Sequence, residues 1–277
     1  MKNEKETKDL IFKFFKKRLQ IILRLLQKDF KSYRIESYHI LRVEIKKLNA
    51  CFLILNVDPR TNEILNPIQT IFNKSGKIRA LQIVLSHLKD ISSKYLDELK
   101  SNLKKELFQT KKEFKEIKTK EIGSQKIYKL IKNKLQATSV ESIVIKYFDH
   151  EKKAIAITQQ LSSLNTNKSI HEVRIIIKLL ENLNKILPIV NTKIQLLKLA
   201  GMNNLLGKWH DEISIEKMIL KYIHDYKTSK NQHLFLLQLC HSLNQSANRN
   251  LKSCYNIKLH KENSHKNKFT KPIDAFV

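Results

Sequence analysis

Turn-forming residues are scarce in this 277-residue sequence, which holds only four glycines and four prolines. Average usage is roughly 7% and 5%. The shortage counts against a turn-rich all-β protein and leaves glycine-looped nucleotide folds with little support. Three cysteines, Cys51, Cys240 and Cys254, cannot build a disulfide framework, and an odd thiol suits a reducing compartment. Lys or Arg interrupts every apolar stretch before it reaches the roughly 18 residues of a spanning helix, so none is expected. Residues 1–30 lack the uninterrupted apolar core of a secretory signal, and a cytoplasmic location follows as the expectation. Acidic residues are also few: 26 Asp+Glu face 53 Lys+Arg, giving a formal net charge of +27.

Hydrophobic residues make up 42% of the chain, enough for a sizeable core and too many for wholesale disorder. The excess of cations points to a polyanionic partner: nucleic acid, a phosphate polymer or an acidic membrane surface. Of the cations, 45 are Lys and only 8 are Arg, while Asn and Ile are abundant, a pattern that resembles AT-rich coding bias. Part of the charge is then background, and the eight arginines are the more informative cations.

The dominant period is helical. Leu10, Phe14, Leu19, Ile22, Leu25 and Leu26 form an apolar stripe over residues 5–30, and Leu41, Ile45, Leu48, Phe52 and Leu55 form a second. The second helix is expected to stop near Asn56, before Asp58-Pro59. A short helix is expected from Thr61 to Asn73, ended by Ser75-Gly76. A Lys-rich stretch from Lys77 to Glu121 reads as one or two helices. Further helices are expected near 125–136, 140–164, 169–187, 190–204, 208–227 and 231–256. Glu141–Phe148 is β-branched, but no second strand-like run exists to pair with it, so it reads as helix. The basic tail, 258–277, is aperiodic and expected to be loose.

An internal repeat is the most informative feature. Residues 39–46 are His-Ile-Leu-Arg-Val-Glu-Ile-Lys, and residues 171–178 are His-Glu-Val-Arg-Ile-Ile-Ile-Lys, 132 positions later. Gly76-Lys-Ile-Arg79 is matched by Gly207-Lys-Trp-His210, 131 positions later. Two motifs in one order and register read as two copies of one unit, 1–122 and 123–257, divided near Gly123.

At about 100° per residue, His39, Arg42 and Lys46 fall within about 60° on a helical wheel, opposite the apolar stripe, with Lys47 on the margin. His171, Arg174 and Lys178 do the same, and Lys185 continues their face. A solvated surface needs only polarity. The recurrence of His, Arg and Lys at one phase in both halves suits a row of phosphates instead. Arg offers planar bidentate contacts, Lys a point charge and His a neutral donor or pH-dependent cation.

These motifs resemble the CHAD family, the conserved-histidine α-helical domain, over roughly residues 5–257. The best-matching stretches are His39–Lys47, Gly76–Arg79, His171–Lys178 and Leu206–Asp211. The resemblance implies an all-α fold of two pseudo-symmetric up-down four-helix bundles. It also implies non-catalytic binding of inorganic polyphosphate along a basic surface where the halves meet. Its ligands would be His39, Arg42, Lys46 and Lys47 in the first half and His171, Arg174 and Lys178 in the second. Arg79 and His210 would occupy the basic position of the later motif. The chain departs from the family pattern at Asn49, Leu179 and Glu181, and has Ala80 where the second half keeps Asp211. Lys77, Lys185 and Lys208 are candidate compensating cations by charge and phase.

His210-Asp211 reads as a basic-face residue beside an acid that pairs a cation such as Arg174, since neighbours on a helix diverge by about 100°. The cysteines read as buried thiols and Trp209 as a packing anchor. The Leu99–Glu121 run interleaves Lys with Glu and reads as a solvated helix. No metal or catalytic motif occurs, and neither a cofactor nor an enzyme activity is expected. A nucleic-acid-binding helical protein is the alternative, with possible non-specific contact to nucleic acid. Recruitment to polyphosphate granules is a further expectation.

Overall fold

The computed structural model describes residues 4–27, 35–117, 122–161, 166–187 and 193–257, with the backbone alone at 35 and 193–198. Within them every regular element is helical: α1 (Glu4–Gln27), α2 (Ile35–Ile54), α3 (Asn66–Lys89), a 3₁₀ turn at Lys94–Leu96, α4 (Asp97–Lys115), α5 (Ser124–Ala137), α6 (Val140–Gln159), α7 (Asn167–Ile186), α8 (Lys193–Asp225) and α9 (Lys230–Tyr255). Glu141–Phe148 lies inside α6. The basic tail falls outside the described residues. No described helix is long and apolar enough to cross a membrane.

Local chemistry accounts for the ends. Ser139, Thr166 and Ser229 cap α6, α7 and α9 by accepting from the backbone N–H three residues on. Pro67 sits in the first turn of α3, where its missing N–H costs nothing. Just past α2, Asn56 takes a φ of 53°, a left-handed conformation that Asn tolerates. The Val57 N–H then bonds the Phe52 carbonyl at 2.8 Å and the Asn56 N–H bonds that of Leu53 at 3.1 Å, the pairing of a Schellman cap. Val57 is buried beneath it.

α3 starts at Asn66 rather than Thr61, and two expected breaks differ from the sequence reading. α3 runs unbroken through Ser75-Gly76, and the chain breaks instead at Asp90–Ser93. A helical glycine costs only about 1 kcal/mol, and packing overrides it here. Ser75 is fully buried and donates its hydroxyl to the Phe72 carbonyl at 3.1 Å. Likewise α8 is one helix where 190–204 and 208–227 were expected as two, because Leu206 and Trp209, on either side of Gly207, are both buried in the core.

Successive helices pack as hairpins, α1 on α2, α2 on α3, α3 on α4, and again α6 on α7, α7 on α8, α8 on α9. Across the chain, α2 packs on α7 and α3 on α8. The main core draws on both halves: Phe15, Leu41, Ile45 and Phe52 join Ile131, Val173, Ile177, Leu206 and Trp209. A smaller core fills the far end of the long hairpins, with Val84, Leu88 and Leu99 against Ile219, Leu236 and Leu243. Each core therefore ties residues from before Gly123 to residues after it. Along α1 the buried stripe is Ile11, Phe15, Leu19, Ile22 and Leu25, one residue off the expected Leu10 and Phe14 at its start. All three cysteines are free and buried, with burial pushing their thiols up to about 11 or 12.

A candidate anion-binding site where two helices meet

α2 and α7 bury their apolar sides and pack on each other, so the His-Arg-Lys stripe of one helix meets that of the other. The charges record this proximity. Burial, then Lys178, Arg42 and Arg174, pulls Lys46 down to about 7. Burial, then Arg174 and Arg79, lowers Arg42 to about 10. Arg174 and Lys178 are depressed too, by burial first. His39 sits below the usual histidine range through burial and the charge of Arg79, with smaller contributions from Lys178 and Lys46. His171 is lowered by burial, His210, Arg174, Lys217 and Lys46. Half-buried cations that depress one another raise the energy of the free protein, and a bound polyanion removes that cost.

Arg42 is held in a specific seat. Its Nη1 donates to the Phe72 carbonyl at 2.6 Å, and its guanidinium lies 4.3 Å over the Phe72 ring. Gly76 completes the seat: a Cβ there would stand 2.5 Å from Nη1 and 3.2 Å from Cζ. The glycine of the Gly76–Arg79 motif is thus a matter of clearance, not of turn formation. The second half differs. A Cβ at Gly207 would meet nothing within 4 Å. Arg174 instead feels the counter-charge of Asp211, and its buried Nε has no hydrogen-bond partner. Where Ala80 replaces the acid, the first half holds its arginine with a carbonyl and a ring.

The imidazoles of His171 and His210 stack with centroids 5.0 Å apart and planes at 27°. His210 Nδ1 lies 3.5 Å from Asp211 Oδ1, a long contact that leaves the ring free to face His171. Trp209, 2% exposed, anchors this part of α8 in the main core.

Of the residues singled out from sequence, His39, Arg42, Lys46, Arg79, His171, Arg174, Lys178 and His210 come together. The other four have other settings. Lys47 turns toward α1 and pairs with the buried Glu44, which also accepts from Arg18 at 3.1 Å. Lys77 pairs with Glu106 of α4 at 3.1 Å, both well exposed. Lys185 and Lys208 are exposed, Lys185 acting on Glu181. Glu181 is held up by burial and accepts from Asn203 at 2.7 Å. Lys217 acts on His171 but was not singled out, since its first-half counterpart is Ser86 and the repeat gave no signal. Among the described residues, no group of three or more His, Cys, Asp or Glu side chains is placed to hold a metal ion.

No family model and no curated protein matches the sequence. The fold does match solved structures. The CHAD domain from the plant Ricinus communis superposes with a TM-score of 0.73 at 14% identity, covering 90% of each chain. PptA from Streptomyces chartreusis superposes with a TM-score of 0.63 at 12% identity, covering 90% of this chain and 98% of that one. The chain has a CHAD-type fold.

Proposed function

We propose that the protein binds inorganic polyphosphate, without chemistry, across the α2–α7 junction. The observation that carries this reading is the cluster of Arg42, Lys46, Arg174 and Lys178, cations from two helices half-buried against one another with Asp211 and Glu181 as nearby acids. Such a cluster is unstable alone and stable around a chain of phosphates, which gives one charge per unit and acceptor oxygens on every side. His39 and Arg79 extend it into the first half, and His171 and His210 into the second. The duplication at Gly123 belongs to the same proposal, each copy supplying one His-Arg-Lys helix. A protein that holds the polymer in this way would collect at polyphosphate granules in the cytoplasm.

The test is binding of labelled long-chain polyphosphate over a salt series. Affinity should fall steeply with salt as counterions are released. Arg42→Ala combined with Arg174→Ala should lose most of the affinity while the helical circular dichroism stays unchanged. Wild-type affinity in the double variant would show that the face is wrongly assigned. Displacement of polyphosphate by DNA at lower phosphate concentration than the reverse would favour the nucleic-acid reading. Orthophosphate release in the presence of Mg²⁺ would contradict a non-catalytic role.

A further inference from the structure

Lysine and glutamate interleave along the sequence of α4, but the helix separates them by side. With Phe108 at 0° on the helical wheel, the buried Leu99, Leu103, Thr110 and Phe114 fall between about 180° and 240°. Phe108 thus stands at the solvent pole of α4. It is 73% exposed, more than any other large hydrophobic side chain among the described residues. Lys104, Lys105, Lys111, Lys112 and Lys115 all fall within about 60° of it, along about 17 Å of helix. Ser101 is the only other residue of α4 in that sector. Glu98 and the cap residue Glu116 mark its edge at about 80°. Glu106 and Glu113 turn about 140–160° away. There Glu106 pairs with Lys77 of α3 at 3.1 Å, and Glu113 accepts from Gln109 at 3.3 Å.

A coding bias toward lysine does not produce such a face. α9 packs on α8 as α4 packs on α3, yet its solvent side carries Leu234, His241, Gln245 and Asn248. The ring decides what the α4 face fits. A phosphate polymer would use the lysines and gain nothing from Phe108. A single nucleic-acid strand stacks successive bases on several aromatics along a groove, whereas this face is convex and holds one ring. A bilayer with anionic lipid uses every part. The lysines meet its headgroups, and Phe108 enters the interface among them. The apolar side of α4 stays in the two cores, so the helix can lie on a membrane without leaving the fold.

We propose that the Phe108 face of α4 docks on an anionic membrane surface. The charges that act on Arg42, Lys46, Arg174 and Lys178 lie on α2, α3, α7 and α8. The α4 face is therefore separate from the candidate anion site, and the inference does not rest on the polyphosphate reading.

The test is sedimentation of the full chain with vesicles of phosphatidylcholine, alone or with about 30% phosphatidylserine, over a salt series. Binding should require the anionic lipid and weaken as salt screens the contact. Phe108→Ala should lower vesicle affinity about fivefold. Lys104→Gln, Lys111→Gln and Lys112→Gln together should lower it about 100-fold, at about fivefold per lysine. The circular dichroism of both variants should stay helical. Removing three charges from exposed positions of α1 instead, by Lys13→Gln, Lys16→Gln and Lys17→Gln, should cost less than about threefold. Phe108→Trp adds a second indole to the chain, whose own Trp209 is 2% exposed. Emission from position 108 should shift to the blue on anionic vesicles and be quenched by brominated lipid. Equal losses from the two lysine triples, or emission at 108 that vesicles leave unmoved, overturns the proposal. So does binding of a single-stranded oligonucleotide that depends on Phe108 while vesicle binding does not.

Discussion

Gly76 and Arg42 fit together as seat and occupant: the space where a Cβ would sit on α3 is taken by the guanidinium of α2, 2.5 Å away. Ala at 76 would push the guanidinium off the Phe72 carbonyl and ring. The loss of one hydrogen bond and one cation–π contact, about 1 kcal/mol, should weaken polyphosphate binding about fivefold. Helix propensity gained by Ala offsets the stability cost, so the melting temperature should move little. Gly207→Ala meets open space and should stabilise the fold by about 0.5–1 kcal/mol with binding retained. Thermal melts and titrations of both variants check the contrast.

Lys46 sets a pH dependence. Its folded pKa of about 7 lies below its ordinary value of 10.5, so between these the unfolded chain binds the extra proton. Its destabilising contribution is therefore complete below pH 7 and fades as pH rises toward 10.5. Lys46→Met should raise stability most at or below pH 7 and least near pH 10. A bound polyanion favours the ammonium, so affinity should drop as pH climbs above 7, by at most about tenfold per unit for one proton. His39 and His171, both depressed, add to the trend below neutrality. Lys46→Met should flatten the profile above pH 7 in titrations from pH 6 to 9.

Glu44 serves α1 rather than the anion site. It is 5% exposed and receives both Arg18 and Lys47. Glu44→Ala leaves two partly buried cations without their acid and should cost about 3 kcal/mol in chemical denaturation. Lys47→Ala should change polyphosphate affinity by less than about twofold, because its ammonium is taken up by Glu44. A loss as large as that of Arg174→Ala would return Lys47 to the binding face.

Asp211 supplies counter-charge to Arg174, Lys178 and Lys46. Asp211→Asn removes it with little change of shape. The protein should lose about 1 kcal/mol of stability and bind polyphosphate several-fold tighter, with a steeper salt dependence. Weaker binding would show that Asp211 positions Arg174 more than it competes with phosphate.

The helical phase of α2 and α7 was legible because each helix buries one side: Leu41, Ile45, Leu48 and Phe52 are all in the core, which turns His39, Arg42 and Lys46 outward. Trp209 and the three thiols were legible from residue type, since these side chains are commonly buried. The continuity of α3 through Gly76 was not, because local propensity marks a glycine as a break while a neighbouring arginine gives it a use. The pairing of Lys47 with Glu44 was not legible, since a helical wheel carries no information about Glu44 and Arg18 beyond its margin.

Periodicity and repetition, properties of a chain taken one helix at a time, determined an all-α protein with a His-Arg-Lys stripe on two matched helices. Distances between helices depend on packing, which no spacing in the sequence encodes. Only the tertiary structure therefore decided that the two stripes face each other closely enough to pull Lys46 to about 7. It also decided that Gly76 shelters Arg42 and that His171 stacks on His210.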